Sequence, residues 1–213
     1  MKNTINLHVQ FLQPTVMEKY ADTFLKENEV NSIPVDIEYI IEYKYDMDII
    51  PVLNLQRNIS VEGYLSKDYS TIYVDEYVYE NIEVRYRFTL AHEIGHFIMH
   101  KEYLDMINFE SHDEWKDTLL NLNSQDIGWM EYQGRCFAGL VLVPTKELDE
   151  MFFNFLPTVD PLINSAKEKG FSRRDYLNHA IDNLAASIAP HFNVSSDVVE
   201  RRIKYSNLVE QIP

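Results

Sequence analysis

Residues 92–96 read His-Glu-Ile-Gly-His, and this H-E-x-x-H pattern constrains the fold more than any other stretch of the sequence. Residues four apart lie on the same face of an α-helix, so His92 and His96 can bind one metal ion together. Glu93 is turned about 100° around the helix from His92, where it can accept a proton from a water molecule beside the metal. The pattern therefore predicts a zinc site with Glu93 as the general base, an arrangement typical of a metallopeptidase.

The flanking sequence predicts a helix around this motif, from about Asn81 to Lys101. Asn81 is the expected N-cap, and Glu83 stands in the first turn, where the helix dipole favours a carboxylate. Gly95 is unusual in such a helix because glycine destabilises a helix interior by about 1 kcal/mol relative to alanine. We therefore expect the backbone of a second helix to cross close to Gly95.

A third ligand is needed further along the chain, because a catalytic zinc ion normally has three protein ligands and an open fourth position. Residues 129–143 predict a helix that Pro144 ends. On that helix Glu131 shares a face with Gly134 and Ala138, two small residues that allow a close crossing with another helix. Glu131 is therefore the candidate third ligand.

The two segments together resemble the ImmA/IrrE-type metallopeptidases of bacteria and their mobile elements. The first signature of that family, R-F-T-L-A-H-E-x-G-H, is matched by residues 87–96. The second signature, E-x-x-A-N-x-F-A-x-x-L-L-M-P, is matched at Glu131, Phe137, Ala138, Leu142 and Pro144. Shorter similarities extend the resemblance over about residues 34–205; they are Pro34–Ile37, Thr71–Val74 and Phe192–Ser195.

This resemblance implies a function for the whole site. His92, His96 and Glu131 would bind zinc, with Mn²⁺ as the alternative metal, and Glu93 would be the catalytic base. The protein would be a metal-dependent endopeptidase that cuts a specific protein, typically a helix-turn-helix transcriptional repressor, and so regulates transcription of stress or mobile-element genes. The implied fold is an α+β, zincin-like metallopeptidase core.

The chain departs from the second signature where the family's alanine is Gly134, its asparagine is Arg135 and its methionine is Val143. Arg135 matters most, because a metal-binding imidazole usually donates its other N–H to an acceptor and a guanidinium has no acceptor. Either another residue orients the histidine, or the site is weaker than usual. Arg135 itself could stabilise an oxyanion, or it could be a surface residue that points away.

Two further histidines are candidates for a supporting role. His100 lies four residues beyond His96, and we interpret it as a packing residue or as one that orients a ligand, rather than as a ligand. His112, in the polar stretch that follows, could reach the cleft; a solvated loop histidine is the alternative.

The segments before the motif predict a small three-stranded antiparallel sheet, from β-branched and aromatic residues at 47–55, 59–66 and 70–77. An extended peptide could add to an edge strand of such a sheet, although a covered edge is equally compatible with the sequence. Helices are predicted from Pro14 to about Asn28, from Pro34 onward and at residues 112–122. We divide the chain into a metallopeptidase domain with N-terminal helices, residues 1–160, and an α-helical C-terminal subdomain, residues 161–213.

The C-terminal part predicts a helix, a turn and a second helix. Ser172 and Asp175 form a capping-box pattern, and Pro190 is expected to end the helix that they begin. This is the outline of a DNA-binding helix-turn-helix, but Asp197 and Glu200 stand among the basic residues of the second helix. We prefer a helical pair that supports the metal domain or docks a partner. Two alternatives to the peptidase stay open: a catalytically inactive protein that keeps the metal for structure and binds a partner, and a DNA-binding regulator.

Composition limits the partners and the compartment. A net charge of −15 argues against general nucleic-acid binding, in which Lys and Arg replace phosphate counterions. Cys136 is the only cysteine, so no disulfide can form within the chain, and a reducing cytoplasm is the expected location. No apolar run approaches the length that spans a bilayer, so we expect no membrane association.

Overall fold

The computed structural model describes residues 7–109 and 111–213, without the side chains of residues 112, 113, 116, 119 and 120. The chain divides into two compact units. The first unit contains the described residues up to 31 together with residues 36–141, and the second contains residues 32–35 and 142–213. The domain boundary expected at residue 160 stays a prediction.

The first unit begins with the N-terminal segment, residues 7–10, which is fixed to the middle of the chain. The backbone N–H groups of Leu7 and Val9 donate to the buried carboxylate of Asp126, at 3.0 and 2.9 Å. The carbonyl of Gln10 accepts a hydrogen bond from the side-chain amide of Gln133 at 2.7 Å. The N-terminal segment is therefore held at two points of one helix.

Helix α1 spans Pro14–Glu27, as predicted, with its proline in the first turn, where the missing N–H costs nothing. The second predicted helix is short and begins later than Pro34: α2 spans Ile37–Tyr39 and continues as a π-helical turn, Ile40–Lys44. Asp36 caps α2, because its carboxylate accepts the N–H of Tyr39.

A three-stranded sheet follows, with β1 at Asp48–Val52, β2 at Gly63–Leu65 and β3 at Thr71–Asp75. The predicted number of strands is confirmed, but the prediction of an antiparallel sheet is wrong for one pair. β3 is central and pairs antiparallel with β2 but parallel with β1. A short helix, α3 at Leu55–Ile59, stands between β1 and β2, so β1 reaches β3 through a crossover that is long enough for parallel pairing.

The helices that carry the two sequence signatures are α5, Glu83–Leu104, and α7, Ser124–Leu142. Between them lies α6, His112–Asn121, close to its predicted range. The expected N-cap Asn81 is wrong, because Asn81 ends a separate helix, α4 at Glu76–Asn81. Asp75 caps α4 by accepting the N–H groups of Tyr77 and Val78, and α5 begins after Ile82 without a side-chain cap.

The second unit is helical. Its helices are α8 at Thr145–Phe155, α9 at Asp160–Glu168, α10 at Arg173–Phe192 and α11 at Ser196–Lys204. The capping box of Ser172 and Asp175 is present, but Pro190 does not end α10. The helix continues to Phe192 and ends at Asn193, whose left-handed backbone (φ 51°) reverses the chain. Within the described part of the chain, every helix is too short or too polar to cross a membrane.

Candidate metal centre

Three side chains from two helices converge in the first unit. His92 and His96 lie one turn apart on α5, and Glu131 reaches them from α7. The two Nε2 atoms are 2.9 Å apart, and the Glu131 carboxylate oxygens lie 3.6 Å from Nε2 of His92 and 3.7 Å from Nε2 of His96. Among the described residues, these three form the group whose ligand atoms all lie within 4.8 Å of one another.

These distances fit a zinc site. Two ligands of a tetrahedral zinc ion lie about 3.4 Å apart when each is about 2.1 Å from the metal. The three observed separations bracket that value, and the donors are two imidazole nitrogens and one carboxylate, a common set for a catalytic zinc ion. The residues therefore fit the metal that the sequence predicts.

Two glycines allow α5 and α7 to approach so closely. A Cβ atom at Gly134 would lie 2.9 Å from Cε1 of His92 and 3.2 Å from Nε2 of His96, so a side chain there would press on both imidazoles. A Cβ atom at Gly95 would lie 2.8 Å from the ring of Phe137 on α7. The predicted helix crossing is thus found, but the close neighbour of Gly95 is an aromatic side chain and not a backbone.

The charges of the cluster favour a bound cation. Burial lowers the pKa of His92, but the carboxylates of Glu131 and Glu93 outweigh burial and raise it above its usual value. Burial alone would raise the pKa of Glu131, whereas His92 and Arg135 bring it below its ordinary value. Glu131 is therefore held ionised, as a metal-binding carboxylate must be.

Glu93 lies beside the candidate ligands, on the side that faces the sheet. It is 7% exposed, and a Cβ atom on Gly63 of β2 would lie 3.4 Å from its Cγ. Burial raises the pKa of Glu93 to about 7; the charge of His92 acts against this and that of Glu131 adds to it. A carboxyl group with a pKa near neutrality can both accept and return a proton, as general acid–base catalysis requires.

His100 contacts the candidate ligand His96 directly. Their Nδ1 atoms are 2.8 Å apart, and Nε2 of His100 lies 2.7 Å from Oε1 of Gln133. Burial lowers the pKa of His100 to about 4, so this ring is neutral at pH 7. Burial and the neighbouring His92 also lower the pKa of His96 well below its usual value. Sequence reasoning proposed His100 as an orienting residue but missed Gln133.

Arg135 lies at the edge of the cluster. Its guanidinium donates to Oε2 of Glu131 at 3.0 Å, one turn back along α7, and its side chain is 56% exposed. The arginine therefore pairs with the carboxylate that would bind the metal. A contribution from Arg135 to an oxyanion stays a prediction. His112 begins α6, but its side chain is outside the described part of the structure, so its role also stays a prediction.

An apolar cavity of about 70 Å³ adjoins the cluster. Glu93, His96 and Glu131 form part of its wall, and β2 contributes main-chain and side-chain atoms. Most of the rest is apolar and comes from the end of α5, from the segment that follows it and from α6 and α7; it includes Leu104, Phe109, Trp115, Ile127 and Met130. The cluster thus faces a space that suits an apolar side chain.

Comparison with protein families places these features in a known group. The family model described as Peptidase M78, IrrE N-terminal-like domain, matches residues 64–204. This range includes the H-E-x-x-H motif, Glu131 and more than half of the chain. The chain belongs to this family. Membership supports a metallopeptidase activity and confirms the resemblance that the two signatures indicated. A search of curated proteins found no match.

Proposed function

We propose that this protein is a zinc-dependent endopeptidase in which His92, His96 and Glu131 hold the metal and Glu93 is the general base. The observation that supports this most strongly is the position of Glu93. It is buried beside the three candidate ligands, its pKa is raised to about 7, and it faces the cavity that adjoins them. Mn²⁺ is the alternative metal.

The chain supplies each group that peptide hydrolysis needs. Zinc bound by the two imidazoles and the carboxylate would lower the pKa of a coordinated water and polarise the scissile carbonyl. Glu93 accepts the proton of the attacking water and delivers it to the nitrogen of the leaving amine, which its near-neutral pKa allows. The surrounding apolar wall excludes bulk water, which strengthens these charge interactions.

Strand β2 forms an edge of the sheet beside the cluster, although its three residues are buried. Main-chain bonds join Glu62 to Asp75 and Ser66 to Thr71. Since hydrogen-bonded pairs alternate in an antiparallel ladder, the main-chain groups of Gly63 and Leu65 face away from β3. A substrate strand added there would pass Glu93, and one of its apolar side chains would fit the adjoining cavity. Resemblance to ImmA/IrrE-type peptidases supports a helix-turn-helix repressor as the substrate.

The decisive experiment compares the zinc-loaded protein with its Glu93→Gln variant on candidate repressors from the same cell, with fragments identified by mass spectrometry. We expect cleavage at one or a few sites by the wild type and a loss of about 10²–10⁴-fold in the variant, with zinc content unchanged. Glu102→Gln, an exposed glutamate on the same helix, is the matched control. Undiminished cleavage by Glu93→Gln would refute the mechanism.

The interaction-protein alternative makes the opposite prediction. A protein that keeps zinc only for structure would bind its partner without cutting it, and Glu93→Gln would leave that function intact. The raised pKa of Glu93 and the cavity beside it are unnecessary for a purely structural metal. These two features favour the peptidase.

The DNA-binding alternative is disfavoured by the contacts of α11. Arg202 donates to the carbonyl of Val143 at 3.1 Å and to Oγ1 of Thr145 at 2.9 Å, and Lys204 pairs with Glu200. Two of the three basic side chains at the end of this helix are thus engaged within the second unit. A salt-dependent shift of duplex DNA by the intact protein, lost on Arg201→Glu, would support DNA binding instead.

A further inference from the structure

A chain of hydrogen bonds runs from the N-terminal segment to the candidate ligand His96. The carbonyl of Gln10 lies 2.7 Å from Nε2 of Gln133, Oε1 of Gln133 lies 2.7 Å from Nε2 of His100, and Nδ1 of His100 lies 2.8 Å from Nδ1 of His96. His100 and Gln133 are 0% and 1% exposed, so water does not offer them other partners.

The direction of these bonds follows from their chemistry. A backbone carbonyl can only accept, so the Gln133 amide must turn its NH₂ toward Gln10 and its oxygen toward His100. That oxygen can also only accept, so Nε2 of His100 carries a proton. If Nδ1 of His100 carried one as well, a fully buried imidazolium would result, and its two hydrogen-bond partners, His96 and Gln133, carry no negative charge to balance it.

Nδ1 of His100 is therefore an acceptor, and Nδ1 of His96 is its donor. A neutral imidazole has a single N–H, so the proton on Nδ1 leaves the Nε2 lone pair of His96 directed toward His92 and Glu131. We propose that Gln133, oriented by the carbonyl of Gln10, is a positioning residue that fixes His100 and His96 in the tautomers that metal binding requires.

This inference deepens the proposed function, because it takes His96 as a zinc ligand, but it does not depend on peptidase activity. The first measurement uses the metal-free wild type at pH 7, in which ¹⁵N shifts of the imidazoles report which nitrogen carries the proton. We expect Nε2–H for His100 and Nδ1–H for His96. A proton on Nδ1 of His100 would overturn the proposal even if the protein proved to be an active peptidase.

The second measurement uses Gln133→Met, which keeps a long unbranched side chain but supplies neither an amide donor nor a strong acceptor. We expect mixed tautomers at His100 and a fall of about 10–100-fold in zinc affinity, measured by competition with a chromogenic chelator. Gln125→Met, at an exposed glutamine on the same helix, should change neither. A folded Gln133→Met protein that binds zinc as tightly as the wild type would also overturn the proposal.

Discussion

Gly95→Ala tests how closely α5 and α7 must approach to assemble the metal centre. The added Cβ would lie 2.8 Å from Cδ1 of Phe137, whereas carbon atoms in ordinary contact are about 3.5–4.0 Å apart. The ring must therefore move by about 0.7 Å or more. It has no room to do so easily, because Phe137 is 0% exposed and packs edge-on against Phe24 at 5.5 Å between ring centres.

The expected loss of stability follows from two opposing effects. Overpacking a dense core destabilises by about 1–3 kcal/mol, whereas exchanging glycine for alanine inside a helix contributes about 1 kcal/mol of stability. The metal-free variant should therefore lose up to about 2 kcal/mol, a fall of several degrees in the thermal midpoint for a chain of this length. Gly95 also lies between the two candidate ligands on α5, so displacement of Phe137 should separate them from Glu131 and weaken zinc binding.

Gly128→Ala on α7 is the matched control. Among the described residues, no atom outside its own stretch of helix lies within 4 Å of the position that its Cβ would occupy, so only the helix effect remains, and the control should be stabilised by about 1 kcal/mol. We would measure the stability of both metal-free variants by thermal unfolding and their zinc affinity by competition with a chelator. The reasoning is refuted if Gly95→Ala is as stable as Gly128→Ala and binds zinc with wild-type affinity.

Three further changes probe the charges and the cavity. Arg135→Asn removes a cation that pairs with Glu131, so zinc affinity should rise a few-fold at low salt and the gain should shrink as salt is added; an unchanged affinity at low salt would contradict this. In metal-free protein, the unfolding free energy of the wild type relative to Glu93→Gln should fall by about 3 kcal/mol as pH rises from 4.5 to about 7. The reason is that the unfolded chain releases the Glu93 proton near pH 4.5, whereas burial retains this proton in the folded state. If urea titrations show the same difference in unfolding free energy between the two proteins at every pH in this range, the pKa of Glu93 is not raised. Ile127→Trp fills the cavity, so cleavage beside bulky apolar residues should slow while zinc affinity stays constant; equal rates on a peptide series would exclude the cavity as a substrate site.

The convergence of the three candidate ligands could be predicted because local helical geometry determines most of it. His92 and His96 need only a helix to converge, and a catalytic zinc ion needs a third protein ligand, which Glu131 on a second amphipathic helix can supply. Gly95 correctly predicted that the two helices cross. It could not predict what fills the space, because the sequence around Gly95 says nothing about the rotamer of Phe137, which lies on the other helix.

The parallel pairing of β1 with β3 could not be predicted from the sequence of the strands themselves. The segments of β1, β2 and β3 have the composition of strands, and β2 and β3 are joined by a short turn, so their antiparallel pairing was predictable. The partner of β1 depends on the path between β1 and β2, which includes α3 and two residues with left-handed backbone, Asn54 and Ser60. Neither residue is a glycine; asparagine favours a left-handed backbone only weakly and serine does not favour it, so the sequence marked these reversals poorly.

Arg135 stands where the family has an asparagine. This exchange implied either that another residue orients the metal-binding histidine or that the metal site is weaker than usual. Nδ1 of His96 has its partner on α5 itself, in His100, and Gln133 supports that partner from two positions before Arg135. An acceptor at position 135 is therefore unnecessary for His96, and an arginine there can pair with Glu131 instead. If His96 binds the metal as proposed, its ligation would depend on Gln133 and on the Gln10 carbonyl, which lies 123 positions from Gln133 in the sequence.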